Sequence, residues 1–230
     1  MEDQAVNNAA IVDFLAGTTA NATFLQKIKI KYRPFVCPFD ELLAYAQSQK
    51  SAYDIGCGSG QFCALLAKFT DVESIHGIEI DQSLIDNARK INADFTPQKD
   101  ITFSLFDGNV IPEDVANYDL VYMIDVYHHI PQNIRSSFMR QLYDKMKPGA
   151  KLMFKDINRS SPFVLCNKIH DLIFAQEFGH EIGFDDARRL LESLGFTTLE
   201  ARTKQILVYP HYFLLVQKQQ TANATTSVEA

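Results

Sequence analysis

One glycine-rich stretch of the chain has residue types and spacing that suit the binding of a polar or anionic group. It reads Asp54-Ile55-Gly56-Cys57-Gly58-Ser59-Gly60 and precedes a segment of helical spacing from Gln61 to Phe69. Glycines let a backbone approach a ligand closely and adopt the positive φ angles of a tight turn. A turn that opens a helix also points free N–H groups at the ligand. We therefore predict a strand, a nucleotide-binding turn and a helix here.

The spacing of these glycines distinguishes between cofactors. A dinucleotide fingerprint G-x-G-x-x-G would need a glycine at Gln61, and a Walker loop would need a Gly-Lys-Ser/Thr that does not follow. The order Asp-x-Gly-x-Gly-x-Gly resembles the first motif of the class I S-adenosylmethionine-dependent methyltransferases. This resemblance implies a site for S-adenosylmethionine, with S-adenosylhomocysteine as the product, formed by Asp54, Gly56, Cys57, Gly58 and Gly60.

A second acid follows at a distance that suits a ribose. Glu79 lies nineteen residues after Gly60, close to the offset of about 20 at which Rossmann folds place a ribose-binding acid. A carboxylate at the end of a strand can accept from both ribose hydroxyls. The run Gly-Ile-Glu-Ile-Asp also resembles the second motif of the family, which implies that Glu79 binds the ribose and that Ile80 lies at the cofactor. Asp81 is predicted to be the N-cap of the next helix.

The third and fourth predicted strands also end in polar residues. Ile101 to Phe106 leads into Asp107-Gly108-Asn109. In the family an acid here accepts from the adenine amino group, so the resemblance implies that Asp107 and Gly108 contact the adenine; an ordinary Asp-Gly turn is the alternative. The nearly continuous apolar run from Tyr118 to Asp125 is typical of a central parallel strand. The resemblance places Asp125, at its end, in the cofactor site.

His128 and His129 follow the fourth predicted strand, in a stretch that borders both cofactor and acceptor in many small-molecule methyltransferases. Methyl transfer from a sulfonium is an in-line displacement, so a general base is needed only when the acceptor must lose a proton. Histidine suits that role because its ordinary pKa is near neutrality. Consecutive side chains point in different directions, so at most one of the two is expected to face the site. A buried histidine bonded to backbone is the alternative.

The order of the predicted elements indicates an α/β fold. We predict a single Rossmann-like domain whose seven-stranded, mostly parallel sheet has helices on both faces and ends in an antiparallel hairpin. The methyltransferase domain is expected over residues 51–217, after an N-terminal helical cover at 1–50 and before a disordered tail at 218–230. The cover includes a predicted helix from Phe39 to Gln49. In many members of the family such a segment folds over the cofactor, which implies that Arg33 binds the methionine carboxylate; a surface arginine is the alternative.

Residues 160–183 are the part of the chain least similar to the family. A helix is predicted here with two apolar faces, both of which must be buried. Phe163 and Phe174 lie on the second face and His170 flanks it. This second face is expected to bind the acceptor, to contact a second copy of the chain, or to pack against the N-terminal segment. In the first case residues 160–183 form a lid that sets the identity of the acceptor.

Composition narrows the range of partners. The 28 acidic residues outnumber the 22 lysines and arginines, and the net charge of −6 argues against a broad contact with nucleic acid. The cysteines have no metal-ligand spacing, no signal peptide is visible, and no apolar run approaches the roughly 20 residues that cross a bilayer. We therefore expect a cytoplasmic, metal-independent enzyme that methylates a small aromatic or lipophilic acceptor at oxygen. A methyltransferase acting on protein, RNA or lipid, and a non-catalytic cofactor-binding module in a biosynthetic complex, are the alternatives.

Overall fold

The computed structural model describes residues 8–17, 37–158, 181–206 and 209–220. Four residues with predicted roles, Arg33, Phe163, His170 and Phe174, lie outside these ranges, as does most of the predicted lid, so their roles stay predictions. The described strands are β1 (Ser51–Ile55), β2 (Ser74–Glu79), β3 (Asp100–Leu105), β4 (Leu120–Ile124), β5 (Lys151–Ile157), β6 (Phe196–Ile206) and β7 (Tyr209–Lys218). The described helices are α1 (Asn8–Gly17), α2 (Phe39–Ala44), α3 (Gln61–Phe69), α4 (Gln82–Asn92), α5 (Arg135–Lys145) and α6 (Phe184–Leu194), with 3₁₀ turns at Glu113–Asn117 and Tyr127–His129.

The seven strands form one sheet in the order β3-β2-β1-β4-β5-β7-β6. The first five strands in this order are parallel, whereas β7 runs antiparallel to both β5 and β6. The prediction of a mostly parallel Rossmann-like sheet with a C-terminal antiparallel hairpin is therefore confirmed. The strand order reverses between β1 and β4, and ligands of open α/β sheets bind beside the carboxyl ends of the strands at such a switch point.

Apolar side chains cover both faces of the sheet, as buried parallel strands require. One core contains side chains from α1 to α4, including Ile11 and Leu15 of α1. The other core contains side chains from α5, α6 and the two 3₁₀ turns, including Phe138 and Leu191. The carboxyl ends of the strands thus lie on a scaffold that is packed from both sides.

The predicted element ends agree with the structure to within a few residues, with one clear exception. The helix predicted from Phe39 to Gln49 was wrong in length, because α2 ends at Ala44. Beyond that point the N–H groups of Ala46, Gln47 and Gln49 donate to carbonyls three residues back instead of four, which tightens the chain into turns. The predicted N-cap is confirmed, since the Asp81 carboxylate accepts from the backbone N–H of Ser83 at 2.7 Å.

Gly60 gives a direct test of the packing around the glycine turn. A Cβ at Gly60 would lie 2.7 Å from the Cβ of Ala88 and 2.9 Å from its Cα, and the φ of +70° is unfavourable for other residues. We expect Gly60→Ala to lower the free energy of unfolding by roughly 2 kcal/mol in urea denaturation. The control is Gly17→Ala, because no atom of the described residues, apart from its own helix and chain neighbours, lies within 4 Å of a Cβ at that position. Equal stability of the two variants would contradict this packing.

Candidate active site

The glycine turn connects β1 to α3 and is held against β2. Gly56, Gly58 and Gly60 have φ angles of 71°, 54° and 70°. The N–H groups of Gly56 and Cys57 both donate to the carbonyl of Ile78, at 2.8 and 3.0 Å. The path of the turn therefore depends on backbone conformations that glycine adopts without a steric penalty.

Glu79 fixes the same turn through its side chain. One carboxylate oxygen accepts from the N–H of Gly58 at 3.0 Å, and the other accepts from the N–H of Ile80 at 2.7 Å. The side chain is only partly buried, and a carboxylate has about four acceptor positions. Glu79 therefore has acceptor capacity for further donors at the carboxyl end of β2. The bond to Gly58 was not indicated by the sequence patterns.

A loop with both polar and apolar groups follows β3. One oxygen of Asp107 accepts from the N–H groups of Asn109 and Val110, both at 2.8 Å, and these bonds lower the pKa of the Asp107 carboxyl. This is the Asp-Gly turn that formed the alternative interpretation. Among the described residues, a Cβ at Gly108 would meet the side chain of Ile80 alone, at 3.6 Å. Three apolar side chains are exposed at these strand ends by 65%, 54% and 56%: Ile80, Leu105 and Val110.

Asp54 lies near the end of the strand before the turn, and Cys57 belongs to the turn itself. Both side chains are buried, and the thiol of Cys63 lies 3.5 Å from the carboxylate of Asp54, within hydrogen-bond distance for sulfur. Burial, followed by the negative charge of Asp54, raises the pKa of Cys63 well above its ordinary value. The side chains of Asp54 and Cys57 therefore support the turn from the interior.

Asp125 follows β4 and has the left-handed backbone conformation, with a φ of 57°. Both of its carboxylate oxygens lie 2.6 Å from the ammonium nitrogen of Lys155, whose side chain is fully buried. Burial alone would raise the pKa of Asp125, but the charge of Lys155 holds this pKa below its ordinary value. The carboxylate is therefore ionised at neutral pH. A lysine within the apolar strand Leu152-Met153-Phe154-Lys155 was the available sequence signal for this pair.

The two predicted histidines differ in their surroundings. His128 is buried, and its Nδ1 lies 2.5 Å from a carboxylate oxygen of Asp156, which is fully buried. The other oxygen of Asp156 accepts from the backbone N–H of His128 at 3.2 Å. His129 is exposed, and its ring centroid lies 4.0 Å from that of His128. The two side chains thus differ in exposure, and Nδ1 of the buried one is hydrogen-bonded to a carboxylate.

The contact with Asp156 has a chemical consequence for His128. A carboxylate next to Nδ1 favours the tautomer that carries its proton on that nitrogen, so that Nε2 becomes the acceptor. Arg135 stabilises the same loop, since its guanidinium donates to the carbonyls of Ile130 at 2.8 Å and His128 at 3.0 Å. The arrangement resembles the orientation of a histidine base by a buried carboxylate.

Two kinds of feature are absent from the described ranges. Within these ranges no group of three or more His, Cys, Asp or Glu side chains could hold a metal ion. No helix in the described part of the chain combines the length and the apolar character that are needed to span a membrane.

Comparison with known proteins assigns this arrangement to a family. Residues 31–201 match the family model that describes a methyltransferase domain. The chain belongs to this methyltransferase family. The resemblance inferred from the glycine motif and the strand ends is therefore confirmed, and the fold is that of the class I S-adenosylmethionine-dependent methyltransferases.

Individual relatives match a part of this methyltransferase. The ubiquinone biosynthesis O-methyltransferase of Coxiella burnetii (strain Dugway 5J108-111) is 30% identical over 111 residues, which are 48% of this chain and 45% of the relative. The carboxy-S-adenosyl-L-methionine synthase of Pseudoalteromonas translucida (strain TAC 125) is 25% identical over 130 residues, which are 56% of this chain and 53% of the relative. The matched region therefore spans about half the length of these relatives.

Similarity to solved structures extends over nearly the whole methyltransferase. The crystal structure of magnesium protoporphyrin IX methyltransferase from Synechocystis PCC 6803, with bound S-adenosylhomocysteine, gives a TM-score of 0.66 at 18% identity. The match covers 92% of this chain and 96% of that one. At this level of identity the comparison shows a common fold.

The buried ion pair of this methyltransferase can be tested by its effect on stability. We expect Asp125→Asn to lower the free energy of unfolding by about 3–5 kcal/mol, because the buried Lys155 would lose its counter-charge. Asparagine tolerates the left-handed backbone, so the change isolates the charge. The double variant Asp125→Asn with Lys155→Met should recover part of the loss in urea denaturation.

A matched control is the exposed pair of Lys50 and Glu73, whose charged atoms lie 2.7 Å apart. Exposed pairs contribute little to stability, so Glu73→Gln should unfold close to the wild-type urea concentration. If Asp125→Asn also unfolds close to the wild-type urea concentration, the burial of Lys155 does not depend on Asp125.

Proposed function

We propose that this protein transfers the methyl group of S-adenosylmethionine to the hydroxyl oxygen of a small aromatic or lipophilic acceptor. The observation that carries the proposal is the hydrogen bond from the N–H of Gly58 to Glu79. It fixes a carboxylate with spare acceptor capacity beside a glycine turn, at the switch point of the sheet. When bound, S-adenosylmethionine supplies an electrophilic methyl group on a positively charged sulfur.

The residues along the strand ends fit the parts of this cofactor. Glu79 would accept from the ribose hydroxyls. The exposed apolar side chains of Ile80, Leu105 and Val110 would contact the adenine ring, and Asp107 and Gly108 would lie at its polar edge. Gly56, Gly58 and Gly60, with the supporting Asp54 and Cys57, would form the wall of the site.

Charge at the end of β4 also suits the cofactor. The methionine end carries an ammonium group beside the sulfonium, and the ionised Asp125 would attract this positive end. Arg33 is proposed to bind the methionine carboxylate. Both oxygens of Asp125 also contact Lys155, so the ammonium group would bind through the lone pairs that remain on them.

His128 is the proposed general base. The contact with Asp156 leaves Nε2 of His128 unprotonated. Nε2 can therefore take the hydroxyl proton of the methyl acceptor while the oxygen forms its new bond to carbon. The carboxylate of Asp156 would stabilise the imidazolium that results. His129 is the second candidate, because it is exposed and its ring lies against that of His128.

The acceptor class can be tested by an activity screen. We expect the purified protein to release S-adenosylhomocysteine when given S-adenosylmethionine and phenols, catechols or hydroxybenzoates, and EDTA should leave the rate unchanged. The net charge of −6 favours such small acceptors over nucleic acid. Turnover restricted to protein, RNA or lipid acceptors would refute the proposed acceptor class, although the cofactor site would stand.

Glu79 can be tested by its effect on cofactor affinity. We expect Glu79→Ala to raise the dissociation constant for S-adenosylhomocysteine by about 10- to 100-fold, because hydrogen bonds to a charged group contribute about 1.5–3 kcal/mol. Isothermal titration calorimetry measures this directly. Asp86→Asn is the control, because it removes a carboxylate from the exposed side of α4. A change of less than about twofold in Glu79→Ala would exclude Glu79 as the ribose ligand.

A further inference from the structure

The hydroxyl group of Tyr212 is an exception to the hydrogen bonding of the protein interior. Tyr212 is fully buried, yet its hydroxyl has no hydrogen-bond partner within the part of the chain that the structure describes. Nearly all buried polar groups in folded proteins have a partner, and one without a partner reduces stability. A buried donor of this kind is therefore a candidate for contact with a ligand.

The register of the sheet places Tyr212 beside the proposed base. Tyr212 on β7 lies directly opposite Asp156 on β5, and directly opposite residues of an antiparallel pair project from the same face. Because β7 is antiparallel, its amino end lies at the edge where β5 ends. Tyr212 is therefore next to the carboxylate that orients His128, at the edge of the sheet where ligands bind.

The side chain of Tyr212 is rigidly packed and keeps its proton. Its ring stacks on that of Phe154, with ring centroids 6.1 Å apart, and its centroid lies 6.0 Å from that of Phe184. Burial, followed by the charge of Asp156, raises the pKa of the Tyr212 hydroxyl well above its ordinary value. At neutral pH the group can donate a hydrogen bond, but it cannot act as a base.

We propose that the Tyr212 hydroxyl donates a hydrogen bond to the acceptor oxygen that His128 deprotonates. This inference rests on the proposed function and adds a positioning residue to it. A hydroxyl oxygen has one proton to give and two lone pairs. The proton would go to Nε2 of His128, and one lone pair would form the bond to the methyl carbon as the bond from this carbon to sulfur breaks and S-adenosylhomocysteine leaves. The second lone pair would accept from Tyr212. The bond to Tyr212 strengthens as negative charge develops on the oxygen.

The same geometry selects oxygen over nitrogen as the methylated atom. A neutral amine nitrogen has a single lone pair, and this pair is used in the attack on the methyl carbon. No lone pair then remains to accept from Tyr212, so the buried hydroxyl would stay unsatisfied in the transition state. A buried donor without a partner penalises a ligand that cannot accept from it. We therefore infer that acceptors carry a hydroxyl group at the reacting position.

Tyr212→Phe removes the hydroxyl and little else, and Tyr122→Phe is its matched control. Tyr122 is also fully buried, but its hydroxyl donates to the carbonyl of Leu42 at 2.8 Å. We expect Tyr212→Phe to leave the melting temperature unchanged or raised, because no internal bond is lost. Tyr122→Phe should lower the melting temperature, because a buried carbonyl loses its donor.

The role of Tyr212 is tested by the dissociation constant for 4-nitrophenol. It is measured on protein that is saturated with S-adenosylhomocysteine. We expect Tyr212→Phe to raise the dissociation constant for 4-nitrophenol about tenfold, and Tyr122→Phe to leave it unchanged. Binding of 4-nitroaniline should be the same in the wild type and in Tyr212→Phe, because its nitrogen lone pair is delocalised into the nitro-substituted ring and is a poor hydrogen-bond acceptor. Absorbance titration follows both probes.

Three results would overturn the inference. The first is that the wild type and Tyr212→Phe bind 4-nitrophenol with equal affinity, and the second is that the wild type does not bind 4-nitrophenol. The third is that Tyr212→Phe lowers the melting temperature as much as Tyr122→Phe does. Failure of the proposed function is recognised separately, because the wild type would then not bind S-adenosylhomocysteine, or would bind it and methylate no small hydroxyl acceptor. If the wild type binds it and methylates a hydroxyl while Tyr212→Phe behaves like the wild type, only the role of Tyr212 fails.

Discussion

The attachment of the glycine turn to β2 is the constraint on which the rest of the site depends. Three N–H groups of the turn are bonded to this strand: those of Gly56 and Cys57 to the carbonyl of Ile78, and that of Gly58 to the carboxylate of Glu79. A Cβ at Gly56 would lie 2.5 Å from the side chain of Val126, which follows β4. The turn therefore fixes Glu79 on one side and the segment that carries Asp125 and His128 on the other.

The two halves of the site differ in their exposure and in the partners of their charged side chains. The half formed by β1, β2 and β3 is open, and its acids Glu79 and Asp107 are held by backbone N–H groups. The half formed by β4, β5 and β7 is more buried, and its charged groups have side-chain partners: Lys155 contacts Asp125, and Asp156 is hydrogen-bonded to His128. Burial makes an unmatched charge costly, so these pairs keep fixed positions. On the proposed function, the open half holds the cofactor and the buried half controls the proton of the acceptor.

The sequence predicts the scaffold well because the relevant signals are local. Glycine spacing, apolar runs and helix caps each depend on neighbouring residues, and they located β1 to β5 and the residues at their ends. Helix α2 was overestimated because the shift to shorter hydrogen bonds after Ala44 has no clear sequence signature. The partners of Asp125 and His128 were missed because Lys155 and Asp156 lie about 30 residues away in sequence, and only the pairing of β4 with β5 brings them together. Tyr212 depends in the same way on the register of β7.

The most direct test of the account is a crystal structure of the protein with S-adenosylhomocysteine. We expect the ribose hydroxyls to lie within hydrogen-bond distance of the Glu79 carboxylate and the adenine ring to lie against Ile80. We also expect the methionine end to lie beside Asp125, with the bond from Gly58 to Glu79 retained. A nucleoside that binds elsewhere, or whose ribose does not contact Glu79, would contradict the assignment of the site.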